Sequence, residues 1–128
     1  MKRILDIDLE NAPFLRDHVV QGVPTLPGAF LLGIAADAAQ RLRPRLRITA
    51  FENTSFRRFV RVYEGRPTRL RPDTRVVEEG EGETVVRVRV LSDEDTNEDE
   101  VPASADVVVA ASLGIAPSPG VIVRALGA

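Results

Sequence analysis

A single strong helix signal near the front of the chain is the feature that most constrains its fold. Residues 27–43 contain the apolar segment GAFLLGIAADAAQRL, which lies between Pro27 and Pro44. Proline suits the first position of a helix, where its missing N–H leaves no bond unmade, and it disfavours helical geometry in the residue before it. The segment is apolar on nearly every side, which is typical of a helix enclosed by other structure. We therefore expect a sheet to wrap around a helix at residues 27–43.

Most of the remaining chain alternates polar and apolar residues in the manner of β-strands. Between positions 84 and 91 three valines alternate with two arginines, so the valine face is predicted to face the core. Pro72 lies inside another such run and predicts an edge, a bulge or a break there. Strands are predicted at residues 3–9, 46–51, 56–63, 68–77, 84–91 and 106–113, with a last short one at 121–124. One helix among these strands predicts an α+β fold in which the helix packs on an antiparallel sheet.

Composition excludes several classes of function. The 128 residues carry 17 Lys and Arg against 19 Asp and Glu, so a net charge of -2 gives no general attraction to nucleic acid or membrane surfaces. No apolar stretch reaches the roughly 18 residues of a membrane span, and the N-terminus lacks a signal-peptide pattern, so we expect one cytoplasmic domain over residues 1–128. With no Cys and one His, we expect neither a metal site nor a cofactor. Residues 93–100 hold six acids in eight positions, which is typical of a solvated loop.

The residues just before the helix carry the most specific motif of the chain. A His is followed after three residues by a Gly and after four more by a Pro, at His18, Gly22 and Pro27, with an Asp before the His and a Gly after the Pro. This stretch resembles the N-terminal half of polyketide synthase dehydratase domains and, more distantly, the bacterial 3-hydroxyacyl-carrier-protein dehydratases. Residues 52–62, ENTSFRRFVRV, resemble the strand that follows the central helix in these enzymes. The resemblance implies a single hotdog fold, an antiparallel sheet wrapped around one long central helix.

The resemblance also implies a reaction, the dehydration of a (3R)-hydroxyacyl thioester to a trans-2-enoyl thioester in polyketide or fatty-acid biosynthesis. The acyl chain is held on the phosphopantetheine arm of an acyl carrier protein. His18 is the candidate base for the α-proton, because a neutral imidazole accepts a proton at cellular pH. The alternative is a structural His that is hydrogen-bonded to a nearby carbonyl.

Further site residues follow from the same resemblance. The N–H of Gly28 is the candidate donor to the thioester oxygen, since a helix N-terminus offers unpaired N–H groups and Gly has no Cβ to obstruct the substrate. Gly22 is expected to allow the turn that brings His18 near this helix end. The remaining candidates for substrate binding are Pro24, Leu26, Pro27, Phe30 and Gly33. Leu26 and Phe30, with Phe14 and Phe56, could line an acyl tunnel, and core packing is the alternative interpretation of all four.

The chain lacks a carboxylic acid at the position where the resemblance predicts the catalytic acid. Single-hotdog dehydratases place a Glu six residues after the motif Pro, where this chain has Gly33, and polyketide synthase dehydratases take an Asp from a second hotdog half. We therefore expect two copies to associate as a homodimer. Asp37 shares a helical stripe with Phe30 and Ile34 and leans over Gly33, so a desolvated carboxyl with a raised pKa is a candidate for a displaced acid. The alternative is that Asp37 binds backbone or an Arg at the dimer interface.

Three functions are open from the sequence. The first is a dehydratase-like hotdog protein that engages an acyl carrier protein. The second, favoured by Gly33, is a non-catalytic hotdog, either half of a larger synthase or a module that binds acyl chains or mediates assembly. The third is a hotdog acyl thioesterase. Arginines at residues 41–47 and 57–61 are candidates for steering an acidic carrier, with a solvated or salt-bridged strand surface as the alternative.

Overall fold

The computed structural model describes residues 3–92 and 101–111, together with the backbone of 122–123. Helix α1 spans Gly28–Leu42, and a short 3-10 helix spans Pro13–Asp17. The strands are β1 (Leu5–Ile7), β2 (Val19–Val20), β3 (Val23–Pro24), β4 (Arg47–Phe56), β5 (Thr68–Gly80), β6 (Glu83–Ser92), β7 (Ala103–Ala110) and β8 (Ile122–Val123). The predicted helix is confirmed, with Pro27 and Arg43 as its capping residues.

The described strands form one main sheet and one small hairpin. The main sheet has the order β1-β5-β6-β7-β4-β8, and β2 pairs only with β3. Neighbouring strands of the main sheet are antiparallel, apart from the parallel pair of β4 and β8. Helix α1 contacts β4, β5, β6 and β7. One long helix on an antiparallel sheet is the single hotdog fold of the α+β class that the sequence predicts.

Small side chains hold α1 close to the centre of the sheet. Ala35, Ala38 and Ala39 pack against a buried cluster from β4, β6 and β7 that includes Val86 and Val88 of β6. Val86, Val88 and Val90 are fully buried, which confirms the predicted valine face. Leu31 and Ile34 continue the contact towards β1 and the 3-10 helix in a second cluster. Burying each such aliphatic side chain contributes about 1.5–3 kcal/mol, so the packing fixes which face of α1 meets the sheet.

The opposite face of α1 is open, so the helix is less enclosed than its largely apolar sequence predicts. Ala29, Gly33 and Asp37 follow one another at intervals of four residues and are exposed. The nearest strand on this side is β1, which pairs with β5 over only three residues, so the sheet ends before it covers this face. The open face is where the site candidates on the helix lie.

Strand β4 runs without a break, where the alternation predicts a strand at 46–51 and a new one from 56. Two shifts in the register between β4 and β7 interrupt the alternation, and Asn53, within the second shift, has a positive φ of 50°. Bulges of this kind interrupt the alternation of side chains between the two faces of a strand. The sequence pattern of one continuous strand therefore resembles that of two shorter strands.

The predicted strand at residues 56–63 is wrong beyond Phe56, because the chain leaves the main sheet there. It runs instead beside the segment before α1: the N–H of Leu26 donates to the carbonyl of Val60 at 2.9 Å, and the N–H of Val62 donates to that of Pro24 at 2.9 Å. Val60 and Val62 are buried, which explains the alternation that suggests a strand.

The other strand predictions agree with the structure to within a few residues. Pro72 pairs with β6 at a point that β1 does not reach, which confirms the predicted edge position on that side. Strand β7 begins three residues before the predicted position of 106, and β8 lies within the predicted 121–124. The predicted loop at 93–100 lies outside the described residues.

Candidate functional site

His18 is held at the open end of the β2–β3 hairpin. The two residues of its turn, Gln21 and Gly22, have φ values of 52° and 79°. Positive φ at both positions is what a tight two-residue hairpin needs, and Gly adopts it without a steric cost. Gly22 therefore makes the turn that the sequence predicts, and the N–H of Thr25 donates to the carbonyl of His18 at 2.9 Å.

The same hairpin fixes the tautomer of His18. Its Nδ1 lies 2.7 Å from the carbonyl oxygen of Thr25. A carbonyl only accepts hydrogen bonds, so Nδ1 donates, and a neutral imidazole then carries its free lone pair on Nε2. Thr25 is 1% exposed and donates its hydroxyl to the carbonyl of Val23 at 2.9 Å, which makes it a fixed anchor. His18 itself is an exposed residue.

Gly28 begins α1, and a first helical residue has no acceptor for its N–H within the helix. The N–H groups of Phe30 and Leu31 donate to the carbonyl of Pro27, at 3.0 and 3.3 Å. A Cβ added at Gly28 would lie 3.2 Å from the ring of Phe56. The space that the sequence assigns to a substrate is therefore occupied by the Phe56 ring, which is half exposed.

Asp37 is ion-paired and not desolvated. Its Oδ2 accepts a hydrogen bond from Arg41 Nε at 2.9 Å and another from Arg3, and half of its side chain is exposed. The pKa of Asp37 is lowered, first of all by the hydrogen bond from Arg41; burial acts in the opposite direction, but the charges of Arg41 and Arg3 and the hydrogen bond from Arg3 lower the pKa further. The expected carboxyl with a raised pKa is wrong, because α1 is open on this side and Arg3 reaches it from the N-terminus. Binding to an Arg agrees with the alternative interpretation, although here the arginines belong to the same chain.

A groove of about 580 Å³ runs between β1 and the open face of α1. Phe30, Gly33, Ile34 and Asp37 line it on the helix side. A Cβ on Gly33 would meet nothing within 4 Å, so the position where the family has its acid faces open space. Phe30 is half buried and its ring centroid lies 5.9 Å from that of Phe14, so it belongs both to the groove and to the core.

The remaining candidates serve the framework. Leu26 is 4% exposed in the core, which favours its alternative interpretation over substrate binding. Pro24 pairs with Val19 in the hairpin, and Pro27 caps α1. The site candidates thus form two groups, the hairpin with His18 and the groove with Asp37, and no hydrogen bond or ion pair of the described residues joins them. Phe56 is half exposed, so the core interpretation is wrong for it. Sequence reasoning missed the role of Thr25, and its position across the Gly22 turn from His18 is the one signal that could have identified it.

Within residues 3–92 and 101–111, no three Asp, Glu or His side chains come together in a group that could hold a metal ion. No helix in the same ranges has the length and apolar character needed to cross a lipid bilayer.

Comparison with known proteins places the chain in a family. The sequence pattern of the polyketide synthase dehydratase domain matches residues 5–93, which is more than half of the chain. No curated protein matches the chain in sequence. The matched region extends from β1 to the end of β6 and includes the hairpin of His18 and the whole of α1. The chain therefore belongs to the polyketide synthase dehydratase domain family.

Proposed function

We propose that this protein dehydrates 3-hydroxyacyl thioesters held on the phosphopantetheine arm of an acyl carrier protein, with His18 as the base. Nε2 takes the α-proton from C2, a double bond forms between C2 and C3, and the bond from C3 to the hydroxyl breaks. The hydroxyl leaves as water after receiving a proton from an acid. The observation that carries the proposal is the hydrogen bond from His18 Nδ1 to the Thr25 carbonyl, since it leaves the lone pair on Nε2, and His18 is an exposed residue.

The N–H of Gly28 is proposed to stabilise the thioester oxygen as negative charge develops on it. Its place at the first position of α1 supports this role, because the N–H has no acceptor in the helix. The ring of Phe56 lies against Gly28, so the acyl thioester has to displace it. Phe56 is 50% exposed and is free of the constraints of a core residue, which makes such a movement feasible.

The proton donor is proposed to come from a second hotdog unit. Asp37 is held in its ionised form by two arginines, and an ionised carboxylate has no proton to give at neutral pH. Gly33 has no side chain to offer. A second copy of the chain in a homodimer, or a partner domain, would complete the site.

The test follows two reactions of one substrate. A (3R)-hydroxyacyl carrier protein is incubated with the wild-type protein in D₂O, and mass spectrometry measures loss of water and uptake of deuterium at the α-carbon. Uptake requires only the base, so it detects His18 even where the acid is absent. We expect His18→Ala to lower both rates by about 10²-fold or more. Glu81→Ala, a change at an exposed residue of the turn between β5 and β6, is the control and should retain both.

Three outcomes distinguish the proposed function from its alternatives. Equal rates in His18→Ala and wild type would contradict the role of His18. Release of free thiol, measured with a thiol reagent, would indicate a thioesterase. A folded wild-type protein that shows neither reaction, but binds an acyl pantetheine, would favour the non-catalytic acyl-binding module. The apolar groove beside Gly33 is the observation that supports this second candidate.

A further inference from the structure

The hairpin that carries His18 is not part of the main sheet, so other contacts have to hold it in place. Its strands pair only with each other. Beside its open end runs the segment of residues 60–62, in which Arg61 forms an antiparallel β-bridge with Thr25. Two backbone hydrogen bonds of 2.9 Å flank this bridge, one on either side. The carbonyl that binds His18 therefore belongs to a residue that Arg61 and its neighbours hold in place.

Arg61 also contacts the opposite end of the hairpin. Its Nη2 donates to the side-chain amide oxygen of Gln21 at 2.8 Å. Gln21 lies in the turn of the hairpin, whereas Thr25 lies just beyond the last pair of the two strands. One residue thus holds the hairpin at both ends, through its backbone at Thr25 and through its side chain at Gln21.

Gln21 is a residue for which the turn conformation is unfavourable. Its φ of 52° is positive, and a Cβ makes such a value costly. Tight two-residue turns favour Gly, Asn or Asp at this position, because Gly lacks a Cβ and the short side chains of Asn and Asp can bond to the nearby backbone. Unfavourable conformations persist where surrounding contacts determine them, and the hydrogen bond from Arg61 is such a contact.

Arg61 is itself fixed to the framework of the fold. The hydroxyl of Thr68, the first residue of β5, donates to the carbonyl of Arg61 at 2.8 Å. The neighbours of Arg61 in the chain, Val60 and Val62, are 4% and 0% exposed. The support of the hairpin therefore runs from β5 and the core through Arg61 to the turn.

We propose that Arg61 is a positioning residue for His18. By holding the hairpin at both ends, Arg61 keeps the Thr25 carbonyl opposite Nδ1 and so keeps the lone pair of the neutral imidazole on Nε2. Arg61 acts through Gln21 and Thr25 and does not contact the substrate. The effect of Arg61 on the reaction rate rests on the proposed function, whereas its effect on the tautomer of His18 does not.

The tautomer of His18 is measured by NMR without a substrate. The chain has one His, so every imidazole ¹⁵N signal comes from His18. In a neutral imidazole the protonated and the unprotonated nitrogen have well-separated ¹⁵N shifts, and exchange between the two tautomers averages them. We expect wild type to show a protonated Nδ1, and Arg61→Met to move both signals towards their average. Arg61→Lys retains a charged donor and should reverse most of this shift.

Deuterium uptake at the α-carbon of the (3R)-hydroxyacyl carrier protein is the second readout. Loss of the hydrogen bond to Gln21 should lower kcat for uptake about three- to tenfold and leave KM nearly unchanged. Gln21→Ala removes the other partner, so the double variant with Arg61→Met should lose no more than either single variant. Arg43→Met removes an arginine that donates to Glu79 at the C-terminal end of α1, and is the control with the same net charge.

Each outcome decides the proposal. An unchanged tautomer in Arg61→Met would overturn it, as would an equal change in Arg43→Met. A lower rate with an unchanged tautomer would show that Arg61 acts on the substrate, which also contradicts a positioning role. If Arg61→Met unfolds, Gln21→Ala tests the same hydrogen bond with the backbone contacts of Arg61 in place. A tautomer that depends on Arg61, in a protein whose wild type takes up no deuterium, would support the positioning role and contradict the proposed function.

Discussion

His18 and Thr25 face each other at the open end of the β2–β3 hairpin, and the Nδ1 of His18 lies 2.7 Å from the carbonyl oxygen of Thr25. The backbone bond in the opposite direction, from the N–H of Thr25 to the carbonyl of His18, closes the pair at 2.9 Å. The position of the proposed base therefore depends on the geometry of a two-residue turn. In the family motif three residues separate the His from the Gly, and this turn explains that spacing.

Gly22→Ala is expected to displace His18 and lower the dehydration rate while the fold is retained. The φ of 79° at Gly22 is unfavourable for a residue with a Cβ, and the substitution should cost about 1–2 kcal/mol of unfolding free energy. Gly82→Ala, at a φ of 71° in the β5–β6 turn, should cost a similar amount. Urea unfolding and the dehydration rate are measured for both. We expect a reduced rate only in Gly22→Ala, and equal rates in the two variants would argue against the hairpin as the support of His18.

Gly33→Ala is expected to stabilise the protein. Gly33 lies in the interior of α1, and a Cβ there would meet nothing within 4 Å. Replacing an exposed helical Gly by Ala therefore adds about 0.5–1 kcal/mol through helix propensity. Thermal and urea unfolding provide the measurement. A destabilised variant would show that the open face of α1 is covered, as it would be by a partner packed closely against Gly33.

Asp37→Asn should have a small effect on stability and on dehydration. The carboxylate is half exposed, and solvent screens its pairs with Arg3 and Arg41, so we expect a loss of about 0.3–1 kcal/mol that decreases at high salt. Because the pKa of Asp37 is lowered in the folded protein, this contribution is present at neutral pH and is lost as the pH falls through the folded value. A large drop in dehydration rate, with the fold intact, would show instead that Asp37 is the acid.

Asp106 of β7 provides the clearest pH dependence of stability. Its side chain is 6% exposed and accepts hydrogen bonds from Arg87 at 2.9 and 3.2 Å and from Asn53 at 2.8 Å. Burial by itself raises the pKa of Asp106, but the hydrogen bonds from Arg87 and Asn53 outweigh it and lower the pKa. The ionised Asp106 then stabilises the folded state at pH values above its unfolded pKa of about 3.9. This stabilisation is lost as the pH falls through the pKa of Asp106 in the folded protein.

Asp106→Asn should therefore cost about 1.5–3 kcal/mol at pH 7, towards the lower end because Arg87 is 44% exposed. Urea unfolding of wild type and variant at several pH values should show the difference shrinking in acid. Asp73→Asn is the control. Asp73 pairs with Arg89 and is more exposed than Asp106, so its substitution should cost less than about 1 kcal/mol. A difference that stays constant down to acid pH would contradict the role of the ionised carboxylate.

The parts of the fold that follow from the sequence are those with an undisturbed period. The valines of β6 alternate without interruption, and the two prolines bound α1, so both elements are predicted correctly. Strand β4 is less legible because its bulges and the positive φ of Asn53 break the period of two. Residues 57–63 keep the period but pair with the segment before α1, and periodicity contains no information about the pairing partner.

The sequence predicts the part of the site that depends on contacts within the hairpin. It does not predict the part that depends on contacts between residues far apart in the chain. The turn at Gly22 follows from residue type and spacing within the hairpin. The environment of Asp37 depends on Arg3, which is 34 residues away, and on an edge strand too short to cover α1. A helical wheel places Asp37 beside Phe30 and Ile34, and it cannot show where the sheet ends. The contact of Phe56 with Gly28 depends in the same way on the course of β4.

The contact between Gly28 and Phe56 predicts a coupled pair. In Gly28→Ala the new methyl group would lie 3.2 Å from the Phe56 ring, so the ring has to move by a few tenths of an ångström. We expect a lower kcat/KM for dehydration with little loss of stability, because the ring is 50% exposed and can move. Phe56→Leu has a smaller side chain and should restore much of the rate in the double variant, with a coupling of about 0.5–3 kcal/mol. Additive effects of the two substitutions on kcat/KM would show that the ring and the proposed oxyanion donor act independently, and the displacement of Phe56 by the substrate would then be wrong.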